Sequence, residues 1–206
     1  MVTAQHQVKI RLRALHLVLD FRTLQFLSIG HGTMLEKLTL ILGGAASGKS
    51  AFAENLVMRS KSPRAYLATA QPFDPEMLKK IKAHRKMRGN AWRTIETPLN
   101  AAEKLARISS EEVVLVDCAT MWLSNHLLAD HDIAEESARL LQALAACPGR
   151  VVVVSNEVGL DVVPDNALAR RFRDAQGTLN QQLADQSSVA VLVVAGLPLV
   201  LKGALQ

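Results

Sequence analysis

Beyond Met34 the chain alternates short, almost wholly apolar runs with longer amphipathic stretches. "KLTLILGG" is β-rich and ends in glycines, which predicts a buried strand, with a helix following from Lys49 to Arg59. "RAYLATA" reads as a second strand. "DPEMLKKIKAHRKM" opens acidic, has Pro75 near its first turn and carries its cations late, which predicts a helix. "AWRTIETP" reads as extended chain stopped by Pro98, followed by a helix across "NAAEKLARI". "EVVLVDC" is a third strand, apolar until Asp117, and helices are expected over 119–129 and 133–146. "RVVVVSNEVG" is a buried strand running into a polar loop. "NALARRFRDAQGTLNQQLADQ" is a long amphipathic helix, and "VAVLVVAG" the final core strand. Continuously apolar strands alternating with helices imply an α/β fold, a mostly parallel sheet with helices on both faces. There are no repeats and no low-complexity segment.

Composition narrows the class. At 206 residues, 49% hydrophobic and 21% charged, the chain has the makeup of one ordinary globular domain. Its two cysteines, Cys118 and Cys147, have no C-x-x-C spacing, so neither a disulfide framework nor a zinc site is expected; a reducing cytoplasmic setting fits. No apolar run approaches the roughly 20 residues of a membrane span. The net charge of +5 is uneven: Lys9, Arg11, Arg13 and Arg22 against Asp20 give +3 to residues 1–33, leaving +2 for the rest. A general nucleic-acid surface is not indicated. The cations cluster instead, with Lys79, Lys80, Lys82, Arg85, Lys86, Arg88 and Arg93 inside fifteen residues.

Residues 1–33 differ in character from the rest of the chain. Asp20 and Arg22 interrupt their apolar part, which makes a poor signal-peptide core. The expectation is a disordered N-terminal extension, or translated sequence upstream of a start at Met34, with residues 34–206 forming a single nucleotide-binding catalytic domain.

"GGAASGKS", residues 43–50, matches G-x-x-x-x-G-K-[ST] between a predicted strand and a predicted helix. Gly43, Gly44, Ala45, Ala46, Ser47 and Gly48 would turn backbone N–H groups toward phosphate oxygens, and the helix N-terminus adds its dipole. Lys49 would reach the β- and γ-phosphates and Ser50 would ligate Mg²⁺. Asp117, ending an apolar strand, is the expected second Mg²⁺ ligand. The pattern implies a nucleoside triphosphate site, but phosphate loops of this kind serve kinases, switches, motors and transporters alike.

Three further stretches are more specific: H84-R85-x-x-R88 followed by W92-R93-T94-x-E96-x-P98, "VDCATMWLSNHL" at 116–127, and "VSNEVGLDVVPDNALARRFRDAQGTLNQQLA" at 154–184. With the phosphate loop and the closing "VVAGLPLVLKG", they resemble the bifunctional adenosylcobinamide kinase/adenosylcobinamide-phosphate guanylyltransferase family of cobalamin biosynthesis. The resemblance runs in order from about residue 36 to residue 203. It implies a RecA-like P-loop NTPase fold. It also implies phosphorylation of the aminopropanol arm of adenosylcobinamide, then transfer of GMP from GTP through a GMP–histidine intermediate. Carried over by motif, the covalent histidine is His84. The nucleotide-binding positions are Gly43 to Ser50, Ala68, Thr69, Ala70, Arg85, Lys86, Met87, Arg88, Glu96 and Asp117. Mg²⁺, ATP and GTP, a corrinoid substrate and a homotrimer are implied in the same way. Family phosphate loops often carry arginine where this chain has Ala46; the backbone cradle needs no such side chain, but nucleotide preference in the kinase step is left open.

The residues agree with that assignment. A neutral imidazole is a competent nucleophile, and an ordinary pKa of about 6.5 leaves it mostly neutral at cytosolic pH. Neighbouring cations lower that pKa and stabilise charge on the α-phosphoryl oxygens and the departing pyrophosphate. Without the family block, His84 would read as an incidental member of a solvated charged face. His6, His16 and His31 fall in the extension; His126 and His131 lie near a predicted helix end, and no histidine pair shows metal-ligand spacing. Glu157 and Asn156, after a core strand, either position substrate or Mg²⁺ or merely cap the next turn. Trp92 is expected to pack rather than stack on substrate, and Arg170, Arg171 and Arg173 either meet phosphate or, as favoured, form a solvated face or subunit contact. Two other functions fit the phosphate loop alone: a simpler small-molecule kinase without histidine chemistry, and a switch-like, non-catalytic NTP-binding protein.

Overall fold

The computed structural model describes residues 35–71, 91–160 and 162–205. The extension, the helix expected over 74–87 and the His84 segment lie outside the described residues. Met34–Leu205 is one compact unit.

Its strands are β1 (Leu38–Gly43), β2 (Arg64–Ala68), β3 (Arg93–Glu96), β4 (Val113–Asp117), β5 (Arg150–Asn156), β6 (Val189–Val194) and β7 (Leu197–Lys202). Its helices are α1 (Lys49–Arg59), α2 (Ala101–Leu105), α3 (Ala119–Leu128), α4 (Ile133–Ala146) and α5 (Ala167–Gln186). The strands form one sheet in the order β3-β2-β4-β5-β1-β6-β7. All neighbours are parallel except β6 and β7.

Both sheet faces are covered, which explains the unbroken apolar runs. Leu38, Leu40 and Leu42 of β1 join one core with Leu123 of α3, Leu140 and Leu144 of α4, and Leu179 and Leu183 of α5. Ile41, on the opposite face, joins Phe52, Leu56 and Val57 of α1 in the other. Period-two alternation thus feeds two cores at once. Local capping fixes the helix starts: Asp132 Oδ1 accepts from the Ala134 and Glu135 amides at 2.9 and 3.1 Å, and Asn166 Oδ1 from that of Leu168 at 2.7 Å.

Two elements differ from expectation. The helix across 100–108 ends at Leu105, because the chain tightens into i→i+3 bonds, Arg107 N–H to Lys104 O and Ile108 N–H to Leu105 O, and carries Ile108 into the core. β6 is not the last strand. Ala195 and Gly196, at φ 52° and 78°, form a two-residue turn whose left-handed conformations match the sheet twist, and β7 returns antiparallel. Pro198 is tolerated there because β7 is an edge.

Candidate active site

The phosphate loop begins where β1 ends. Gly43 sits where a Cβ would press on Ser47 Oγ and lie 2.7 Å from the Val193 carbonyl. Gly48 adopts φ 92°, and a Cβ there would come within 3.1 Å of Gly196 Cα. Two tight approaches and one left-handed residue account for glycine at both positions. The Gly196 amide donates to the Ser47 carbonyl at 2.8 Å, so the β6–β7 turn braces the loop from behind.

α1 differs from α3, α4 and α5 at its N-terminus. Those helices are capped by Cys118, Asp132 and Asn166; α1 starts at Gly48 with no side-chain cap and no acidic residue in its first turn. Its leading N–H groups and positive dipole end therefore suit an anion. Lys49 folds back, its Nζ donating to the Gly44 carbonyl at 3.0 Å. Burial lowers the Lys49 pKa, opposed by the charges of Cys118 and Asp117.

Register carries the other predicted residues to the same sheet edge. Ala68 pairs with Glu96 on one side and Asp117 on the other, so these three strand ends are level. Thr69 is buried; its hydroxyl donates to the Cys118 carbonyl and accepts from the Cys118 amide, both at 2.8 Å. It fastens the chain after β2 to the chain after β4, and Ala70 is next in sequence. The uncapped α1 terminus, Lys49, Ser50 and Asp117 thus belong to one assembly, whereas His84, Arg85, Lys86, Met87 and Arg88 lie outside the described residues. Ser50 Oγ and the Asp117 carboxylate are hard oxygen donors, and Ser47 Oγ is buried with no hydrogen-bond partner among the described residues. A donor set of this kind suits Mg²⁺ with a triphosphate rather than a softer metal.

Sequence reasoning missed Tyr66. Its hydroxyl donates to Asp117 Oδ2 at 2.7 Å, and its ring packs edge-on against Trp92, centroids 5.9 Å apart. No motif marks a tyrosine inside a strand; only the β2–β4 pairing shows its partner. A buried polar group at the end of β5 was missed too. Gln176 Nε2 donates to Ser155 Oγ, Ser155 Oγ to Asn180 Oδ1, and Asn180 Nδ2 to the Asn156 carbonyl, at 2.9, 2.7 and 3.0 Å. Thr120 Oγ1 accepts from the Asn156 amide at 2.7 Å. The signal was available: Gln176 and Asn180 share the α5 stripe of Leu179 and Leu183.

Of the residues read two ways, Glu157 caps its own turn, its carboxylate accepting from the Gly159 amide at 2.6 Å. Trp92 is packed. Arg170 donates to the Pro164 and Asp165 carbonyls, and Arg173 pairs with Asp174. Both cysteines are buried free thiols, and burial, with the Asp117 charge, pushes Cys118 up to about 11, which makes it a poor nucleophile. His126 and His131, five residues apart in sequence, place their Nδ1 atoms 2.9 Å apart.

Sheet order, the glycine-rich loop between β1 and α1, and Asp117 one strand beyond β5 define a RecA-like P-loop nucleotide-binding protein. Residues 39–201 match the model of the family described as cobinamide kinase / cobinamide phosphate guanyltransferase. The chain belongs to that family. It is 46% identical over 167 residues to the bifunctional adenosylcobalamin biosynthesis protein CobP of Pseudomonas aeruginosa, covering 80% of this chain and 96% of that one. It is 40% identical over 181 residues to the bifunctional adenosylcobalamin biosynthesis protein CobU of Escherichia coli, covering 80% and 99%. A solved structure from Pyrococcus horikoshii, 11% identical, matches with a TM-score of 0.51 over 84% of this chain and 89% of that one, a likeness of fold alone. Among the described residues, no helix is long and apolar enough to cross a membrane.

Proposed function

We propose that this protein phosphorylates adenosylcobinamide and then attaches GMP to the new phosphate, in cobalamin biosynthesis. The observation that carries the reading is the family match from residue 39 to 201, which runs through an assembled phosphate site. In the first step the acceptor hydroxyl attacks the γ-phosphorus of ATP or GTP and the nucleoside diphosphate leaves. The loop amides and Lys49 hold the phosphates, and Tyr66 orients Asp117. Ser50 and Asp117 would hold Mg²⁺, whose charge offsets that of the transferring phosphoryl group. In the second step a ring nitrogen of His84 attacks the α-phosphorus of GTP, forming a P–N bond as pyrophosphate leaves. An oxygen of adenosylcobinamide phosphate then attacks the same phosphorus, the P–N bond breaks, and the imidazole is restored. Arg85 and Arg88 stabilise the phosphoryl charge, with Lys86, Met87, Ala68, Thr69, Ala70 and Glu96 completing the nucleotide site.

The protein acts in the cytoplasm as a homotrimer, without a nucleic-acid partner. The near-balanced charge of residues 34–206 supports the last point, and the exposed apolar side chains of Leu197, Leu199 and Leu201 on β7 support association. Incubation with α-³²P-GTP tests the central claim. The wild type should acquire an acid-labile, alkali-stable label that His84→Asn lacks, while His84→Asn still phosphorylates adenosylcobinamide. A label that persists in His84→Asn overturns the assignment. Loss of both activities in that variant would refute the separation of the two steps.

A further inference from the structure

At the far end of α3 the chain terminates the helix in a specific way. Asp130 takes a left-handed φ of 55°, its amide donates to the Leu127 carbonyl at 3.2 Å, and the His131 amide donates to the His126 carbonyl at 3.1 Å. These are the paired bonds of a Schellman ending, which bring the side chains of its first and last residues together. That contact is commonly apolar; here both residues are histidines. The turn leads directly into α4, capped by Asp132, whose first turn presents Glu136.

We propose that His126, His131 and Glu136 form a binding site for a zinc-class divalent cation. One ligand atom from each lies within 4.8 Å of the other two. Glu136 Oε2 is 3.9 Å from His126 Nδ1, while its Oε1 is held by Arg139 at 3.0 Å. His126 is 2% exposed, and its Nε2–H donates to the Leu99 carbonyl at 3.2 Å. That bond fixes the tautomer and directs the Nδ1 lone pair at His131, as outer hydrogen bonds do for metal-bound imidazoles. The Trp122 ring, 4.4 Å between centroids, walls the other side. Burial lowers the His126 pKa, opposed by the Leu99 hydrogen bond and the Glu136 charge, which favours the neutral, ligating form.

Without metal, one Nδ1 donates to the other. With metal, the His131 proton moves to its Nε2, so both rings stay neutral and no charge is lost. Zinc–nitrogen bonds of about 2.0–2.1 Å at a tetrahedral angle set the two nitrogens about 3.3 Å apart, so the rings open by roughly half an ångström. Two imidazoles and one carboxylate leave a fourth position for water. Imidazole with a carboxylate suits Zn²⁺ and its neighbours better than Mg²⁺, which sets this site apart from the one at Ser50 and Asp117.

The test titrates Co²⁺ into the full metal-stripped chain with excess Mg²⁺ and no nucleotide, reading the intense visible bands of four-coordinate cobalt and their displacement by Zn²⁺. Binding of one equivalent is expected, with affinity at least about tenfold weaker in both His131→Gln and Glu136→Gln. These residues are reached by solvent, so the variants test the site even if His126→Gln fails to fold. Absence of four-coordinate bands in the wild type, or bands of unchanged affinity in both variants, overturns the proposal and leaves the pair as a histidine–histidine hydrogen bond.

Discussion

Replacing Tyr66 with phenylalanine removes one oxygen and leaves the ring against Trp92. Tyr66 is 4% exposed, so the core contact survives while the 2.7 Å hydrogen bond to Asp117 Oδ2 is lost. A hydrogen bond to a charged group contributes about 1.5–3 kcal/mol. The upper part of that range applies only if the carboxylate finds no replacement donor, and water at the strand end supplies one in part. A loss of about 1.5 kcal/mol in orienting Asp117 corresponds to roughly a tenfold fall in rate at subsaturating Mg²⁺. Because the bond engages the carboxylate proposed to hold the ion, the loss should fall on the Mg²⁺ requirement. The assay is initial phosphorylation rate against Mg²⁺ concentration, wild type beside Tyr66→Phe, at fixed saturating nucleotide and corrinoid. Half-saturation should move several-fold to tenfold higher, with the plateau rate less affected. An unchanged Mg²⁺ curve, or a loss confined to the corrinoid KM, would refute the view that Tyr66 acts through Asp117.

Lys49→Met should abolish both activities and the thermal stabilisation by GTP. The ligand-free variant should nevertheless melt no lower than wild type at neutral pH: burial lowers the Lys49 pKa below its unfolded value, so its charged form costs stability at neutral pH, that cost is relieved as pH rises through the folded pKa toward the unfolded one, and wild type should gain on the variant in alkali. Asn180→Ala leaves Ser155 and the Asn156 carbonyl short of partners, and should cost about 2–4 kcal/mol in urea unfolding. A chain beginning at Met34 should fold and keep both activities, since β1 starts at Leu38; loss of turnover would make residues 1–33 part of the catalytic protein.

The fold was legible where one physical signal dominated. α1 runs from Lys49 to Arg59 as expected, because the glycine loop fixes its start. β4 and β5 are recognisable from near-continuous apolar residues, and Asp132 and Asn166 announce the helices after them. β7 was not legible: all six of its residues are exposed, so no burial pattern marks it, and the turn at Ala195 and Gly196 reads as a strand end. At the site, the backbone-made part was readable from glycine spacing. Tyr66 and the Gln176–Asn180 group were not, because their partners come from other strands and helices. The His126–His131 pair was overlooked for a local reason: helical spacing forbids an i,i+5 contact, and only a left-handed residue at Asp130 permits it.

The hairpin turn at Gly196 ties the phosphate loop to the β6–β7 unit through a single backbone bond to Ser47. β7 is also the strand with its apolar side chains turned to solvent. Anything that covers β7 therefore acts one hydrogen bond away from the amides that hold the nucleotide. Two equilibria joined in this way share one coupling free energy, equal in both directions. If copies of this chain associate through β7, subunit concentration becomes a variable of nucleotide affinity, and nucleotide level a variable of assembly. Dilution of such an assembly would then change the grip on phosphate without a change to any residue that touches it.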